Sequence, residues 1–180
     1  MALDRERLRE VFTKIGALLS QPTTLCLIGS APSIFAGQPE RLTGDIDVWR
    51  PMSRLDENAL EQACRGAGLL FDPKGEVSEH DIYLQIINPG VVSFPKQFEP
   101  ELLAQFGNLT LVMPPPSLIA AAKLQRGSKS DIDDIVWWLK ERAIGLDEID
   151  GAIASLPKKA SREMASENMV LVRLISGATK

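Results

Sequence analysis

The nine residues RLTGDIDVW, at 41–49, constrain the fold more than any other stretch. Two aspartates, Asp45 and Asp47, stand one residue apart in a run whose other members, Ile46, Val48 and Trp49, belong in a buried strand. Side chains two apart in a strand leave the same face, and the rise is about 3.3 Å per residue. Asp45 and Asp47 therefore project in parallel, with Cα atoms roughly 6 to 7 Å apart. Carboxylates so placed repel unless a cation lies between them, and their hard oxygens suit Mg²⁺ or Mn²⁺. Such an ion keeps several waters and completes its shell with phosphate oxygens of a substrate. The pair thus calls for a strand with one polar face and for phosphate chemistry beside it.

The surrounding pattern supplies the rest of a sheet. TTLCLIG, at 23–29, is a short apolar and β-branched run closed by glycine, and reads as a buried strand. SAPSIFAG reads as a short helix with Pro32 in its first turn, ending near Gly37. Leu8, Val11, Phe12, Ile15, Leu18 and Leu19 recur at helical spacing, which predicts a first helix over 3–19. A further helix is expected over 55–67, ending at Gly66 or Gly68, and further strands over 81–87 (DIYLQII) and 108–113 (NLTLVM). A loop rich in proline separates those strands, and the three prolines at 114–116 stop the sheet.

Helices and strands in this alternation indicate an α/β fold. The C-terminal third reads as helical, with segments expected from Ser117, over 131–142, over 146–155 and over 162–175, and a mildly linker-like stretch at 155–161. The chain divides into an α/β core, 1–115, with a mixed sheet flanked by helices, and a helical C-terminal region, 116–180, packed on that core. At 180 residues and 44% hydrophobic it carries one main core.

Charge and composition narrow the partners. A formal net charge of -4 opposes broad attachment to nucleic acid or to an anionic membrane, leaving only a local basic groove for such contacts. No apolar run approaches the roughly 20 residues of a membrane span, and MALDRERLRE lacks the basic and then apolar order of a leader; the chain reads as cytoplasmic, with no membrane partner. The two cysteines, Cys26 and Cys64, lack metal-site spacing, and Cys26 reads as a small buried hydrophobe. The single histidine, His80, reads as a surface residue and rules out most zinc constellations drawn from this chain alone. A bound metal must rely on carboxylates.

Gly29 and Ser30 provide a second element of a site. They fall where the first strand turns into a helix, where glycine lets backbone approach a ligand closely and the serine hydroxyl adds a donor, a junction that suits an anion. If the two strands are neighbours, a triphosphate there lies beside the paired carboxylates.

Gly-Ser after the first strand, a short helix, and then Asp-x-Asp on the next strand resemble the nucleotidyltransferase fold of the DNA polymerase β superfamily. More narrowly, IGSAPSIFAGQPERLTGDIDVW is similar to abortive-infection-type and related uncharacterised nucleotidyltransferase-like proteins of bacteria, with Arg41, Thr43, Asp45 and Asp47 in their Arg-x-Thr-x-Asp-x-Asp run. KLQRGSKSDIDDI resembles the family's later helical motif at Lys123, Leu124, Asp131, Asp134 and Ile135.

The resemblance implies transfer of a nucleoside monophosphate from a nucleoside triphosphate to an acceptor: a protein, an RNA or a small molecule. Gly29, Ser30, Thr43 and Lys123 would hold substrate. Asp45 and Asp47 would bind Mg²⁺ or Mn²⁺ in a two-metal arrangement, and Asp81, at the edge of its strand, is the candidate third catalytic carboxylate. It also implies, as a class expectation, a cognate toxin or antitoxin as partner.

Plainer readings stand beside these. Lys123 also fits the polar face of a helix, and Asp131 and Asp133 fit a helix start with Ser130 as its cap. Of Trp137 and Trp138, at least one reads as core and the other as core or base-stacking. Ser130 stands where relatives often carry a basic residue. Two other functions compete: a catalytically idle binding or regulatory module, and a phosphatase with an aspartate nucleophile, which the Gly-Ser after the first strand disfavours.

Overall fold

The structure, a computed structural model, describes residues 2–177. Residues 1 and 178–180, which fall at the two ends of the expected core and helical region, lie outside the described residues. The chain forms two compact units: Met1–Asn88 with Glu99–Met113, and Pro89–Phe98 with Pro114–Lys180.

The first unit is a six-stranded mixed sheet of β1 (Thr23–Ile28), β2 (Asp45–Trp49), β3 (Leu70–Phe71), β4 (Tyr83–Ile87), β5 (Glu101–Phe106) and β6 (Leu109–Met113), in the order β3-β4-β2-β1-β6-β5. β1 runs antiparallel to β2 and parallel to β6, and β2 runs parallel to β4. Alternation along each strand decides which side chains meet the helices. Leu25, Leu27, Ile46, Val48, Leu84, Ile86, Leu109 and Leu111 join one buried cluster with residues of α1 (Arg5–Leu18), α2 (Ala31–Ala36) and α3 (Glu57–Ala67). The opposite face of β2 presents Asp45 and Asp47, both half-buried.

Local chemistry sets the helix ends. Asp4 caps α1 by accepting from Arg7 N at 2.9 Å, and Asp56 caps α3 by accepting from Ala59 N at 2.9 Å. Both α2 and α3 end on left-handed glycines, Gly37 and Gly68. Gly16 of α1 lies against β5 so tightly that a methyl there would come 1.9 Å from the Phe106 carbonyl oxygen.

The sheet has more strands than the hydrophobic pattern predicts. β5 lies in the stretch expected to be a proline-rich loop; it is an edge strand with a register shift between Leu102 and Ala104, and Leu102 is 69% exposed, so period-2 alternation never builds up. β3 is two residues long and carries no periodicity.

The second unit gathers four helices, α4 (Pro116–Leu124), α5 (Lys129–Glu141), α6 (Leu146–Ser155) and α7 (Lys159–Gly177). α4 contacts the other three and is apolar nearly all round, as a central helix must be. Residues 89–98 group with these helices: Gln125 Nε2 donates to the Ser93 carbonyl at 2.9 Å, and Lys158 N to the Ser93 hydroxyl at 3.1 Å. α5 starts earlier than expected. Its cap is Ser128, which forms a reciprocal box with Asp131, whereas Ser130 and Asp133 are exposed on the first turns. Among the described residues no helix is long and apolar enough to cross a membrane.

Candidate functional site

The end of β1 and the start of β2 meet because the two strands are antiparallel, with Ile28 opposite Asp47. Gly29 comes next at φ +73°, a left-handed conformation that glycine adopts without strain. Its missing side chain matters as much as its dihedral, for a Cβ built there would stand 2.6 Å from Asp47 Oδ2. The backbone turn and the carboxylate are thus packed against each other.

Asp45 is oriented from the other side. Leu3 and Thr43 form a two-way backbone bridge, with Leu3 N donating to the Thr43 carbonyl at 2.6 Å and Thr43 N to the Leu3 carbonyl at 3.1 Å. The buried Thr43 hydroxyl so placed lies 2.5 Å from Asp45 Oδ1, to which it donates, and accepts from the Ser30 hydroxyl at 3.1 Å. Ser30, Thr43 and Asp45 form a hydrogen-bonded chain. Ser30 also opens α2, its carbonyl accepting from Ile34 N and from the Ser33 hydroxyl.

Five of the substrate and metal residues expected from the sequence, Gly29, Ser30, Thr43, Asp45 and Asp47, therefore come together where β1 ends and β2 begins. Asp81 is bonded within a turn of its own. It is exposed in a turn before β4, where its backbone N donates to the Ser78 carbonyl at 3.0 Å and its carboxylate accepts from Ser78 N at 3.2 Å. Among the described residues no three histidine, cysteine, aspartate or glutamate side chains converge to hold a metal ion.

Lys123 belongs to the second unit, where it is 7% exposed. Its Nζ lies 2.8 Å from Asp134 Oδ2 and 3.8 Å from Asp131 Oδ1, and both aspartates are fully buried. Arg126 grips Asp131 with two bonds of 2.7 and 2.6 Å. Burial would raise the Asp131 carboxyl, but bonds from Arg126 and Ser128 and the charges of Lys123 and Arg126 outweigh it and hold it below the ordinary range. The segment KLQRGSKSDIDD thus builds a buried ionic cluster that fixes the start of α5 to α4.

Side chains not singled out by the motif also belong to the site. In the parallel register Asp45 pairs with Tyr83 and Asp47 with Gln85, so β4 sets a phenol and an amide beside the two carboxylates. Burial first, then the charges of Asp45 and Asp47, push the Tyr83 hydroxyl above its ordinary value. The signal that could have found them is the equal length and matching alternation of DIDVW and YLQII, two strands that pair directly.

Other groups are structural. Trp138 is buried against Trp137, and the thiols of Cys26 and Cys64 are buried, each pushed up to about 12 by loss of solvation.

The donor set fits a divalent cation. Asp45 and Asp47 supply hard anionic oxygens, the absence of a side chain at 29 lets the Asp47 carboxylate lie against the turn, and Mg²⁺ needs only one or two carboxylates when substrate phosphates and water complete its shell.

Residues 6–168 match a protein family described as nucleotidyltransferase of unknown function (DUF6036). No curated protein and no solved structure matches the chain.

Proposed function

The chain belongs to this nucleotidyltransferase family, and we propose that it transfers a nucleoside monophosphate from a nucleoside triphosphate to an acceptor hydroxyl on a protein, an RNA or a small molecule. The observation that carries the proposal is the apposition of the Gly29 turn to the Asp47 carboxylate, with Asp45 held next to it by Thr43. In this reading the turn at Gly29 and Ser30 holds the triphosphate, and Asp45 and Asp47 hold Mg²⁺ or Mn²⁺. The cation, when bound, neutralises phosphate charge and favours departure of pyrophosphate.

The protein's own work is placement. Thr43 keeps Asp45 in one rotamer, and the neighbouring β1 backbone limits the travel of Asp47, so both carboxylates are set before substrate arrives. The acceptor oxygen bonds to the α-phosphorus, the bond from that phosphorus to the bridging oxygen breaks, pyrophosphate leaves, and the acceptor's proton passes to water.

Calorimetric titration of each nucleoside triphosphate with Mg²⁺ into the full chain, repeated with Asp45→Asn and Asp47→Asn together, tests the reading. Binding that requires the metal and vanishes in the folded double variant supports it. Binding that survives both substitutions refutes it.

A second reading is favoured by β4, whose residues beside the aspartates, Tyr83 and Gln85, carry no negative charge at neutral pH. In that reading the site binds nucleotide as a regulatory module and transfers nothing. Pyrophosphate release during incubation with nucleotide and candidate acceptors distinguishes the two.

A further inference from the structure

β2 and β4 share one register and one alternation. Asp45 and Asp47 are half-buried between buried Ile46 and Val48, and Tyr83 and Gln85 are half-buried around Leu84 and before Ile86. Paired residues on adjacent strands point to the same face, with strands about 4.8 Å apart. Gln85 is accordingly the β4 side chain that stands beside Asp47, and β2 lies between β1 and β4, so the carboxylate has the Gly29 turn on one flank and the amide on the other.

Resting on the reading of Asp45 and Asp47 as a divalent-cation site, we infer that Gln85 fixes the occupancy of that site at one ion. Two carboxylates balance a single divalent charge. A second ion at the roughly 3.5 to 4 Å spacing of paired metal sites needs further negative charge, because two divalent ions repel four times as strongly as two single charges at the same distance. An amide contributes a neutral carbonyl oxygen, of the kind that ligates hard cations, but no charge to offset that repulsion. Tyr83, the neighbour of Asp45, is also uncharged at neutral pH. A carboxylate at 85 would supply the missing charge on the correct face and strand. The occupancy of the site is therefore decided on β4, at the position that pairs with Asp47.

The test is Mn²⁺ alone, titrated into the full chain and counted by the loss of the free-ion paramagnetic signal, with thermal unfolding run on every variant. The natural chain binds one ion. Gln85→Glu, or the shorter Gln85→Asp should the first not fold, binds two. Gln85→Ala still binds one. Two ions on the natural chain, or a folded acidic variant that still binds only one ion, overturns the inference. Asp47→Asn separates the levels: if it binds Mn²⁺ as the natural chain does, or if the natural chain binds none, the cation-site reading itself falls. If Asp47→Asn loses the ion while the acidic variants at 85 change nothing, only the role of Gln85 falls.

Discussion

The carboxylate of Asp47 occupies the space a side chain at position 29 would need: Oδ2 lies 2.6 Å from where the first carbon of any such side chain must stand. One change at Gly29 therefore acts on two properties. Gly29→Ala puts a non-glycine residue at φ +73°, which costs about 1 to 2 kcal/mol, and displaces Asp47 from its place beside the turn. Urea unfolding should show a loss of that size, and Mn²⁺ affinity should fall in the protein that remains folded. Unchanged affinity in a destabilised protein would mean that the apposition serves packing alone.

Thr43 links Ser30 to Asp45 through a single hydroxyl. Thr43→Val keeps the shape and the Leu3 backbone bridge but removes the hydroxyl, leaving Asp45 without its orienting donor. The expected cost is about 1 kcal/mol in stability and roughly a tenfold loss of metal-dependent nucleotide affinity. Thr43→Ser should restore most of the affinity, since it returns the hydroxyl. Equal affinity in the valine and serine variants would rule out an orienting role.

These residues also show what a sequence can carry. Gly29, Ser30, Thr43, Asp45 and Asp47 all lie in one contiguous stretch of 19 residues, so their juxtaposition needs only one strand, one short helix and one returning strand. Gln85 enters the site through the β2 and β4 pairing, 38 positions beyond Asp47; the alternation of YLQII matches that of DIDVW, but only the fold shows that the two strands are neighbours. β5 is illegible because its bulge and edge position spoil the alternation on which strand prediction depends. For Lys123 the residues permit two readings, and only the fold shows the Lys123 ammonium facing Asp134 and Asp131 across two helices. The start of α5 is ambiguous for a related reason: Ser128 and Ser130 are both good caps, and the choice between them is set by Asp131, whose side chain is buried against Arg126 and Lys123.

The cluster around Asp131 makes the helical unit sensitive to acid. Its carboxyl is held below the ordinary aspartate value of about 4, so the contribution to stability is fully present above that value and is lost as pH falls through the lowered one. Urea midpoints followed from neutral pH into the acid range should decline more steeply for the natural chain than for Asp131→Asn, which has no such proton to gain. Parallel curves would sink this assignment. Lys123→Met provides the complementary change, leaving two buried aspartates short of one cation, and should cost about 3 to 5 kcal/mol at neutral pH. A loss well under 1 kcal/mol would show that the ammonium is dispensable to the fold.

Tyr83 is the only tyrosine in the chain, so its ionisation can be followed directly by the near-ultraviolet absorption of phenolate. Burial raises its pKa first, and the negative charges of Asp45 and Asp47 raise it further because each disfavours a phenolate nearby. Converting both aspartates to asparagine removes the second cause and keeps the first. The titration midpoint should move down toward the ordinary value without reaching it. Because Tyr83 pairs with Asp45 across the strands, Asp45→Asn alone should produce a shift in the same direction. Gln85→Glu, by adding a negative charge two residues away on the same face, should move the midpoint up. A midpoint identical in the natural chain and the double asparagine variant would mean that the phenol and the two carboxylates do not share one electrostatic environment, and the placement of β4 as the second wall of the site would then be wrong.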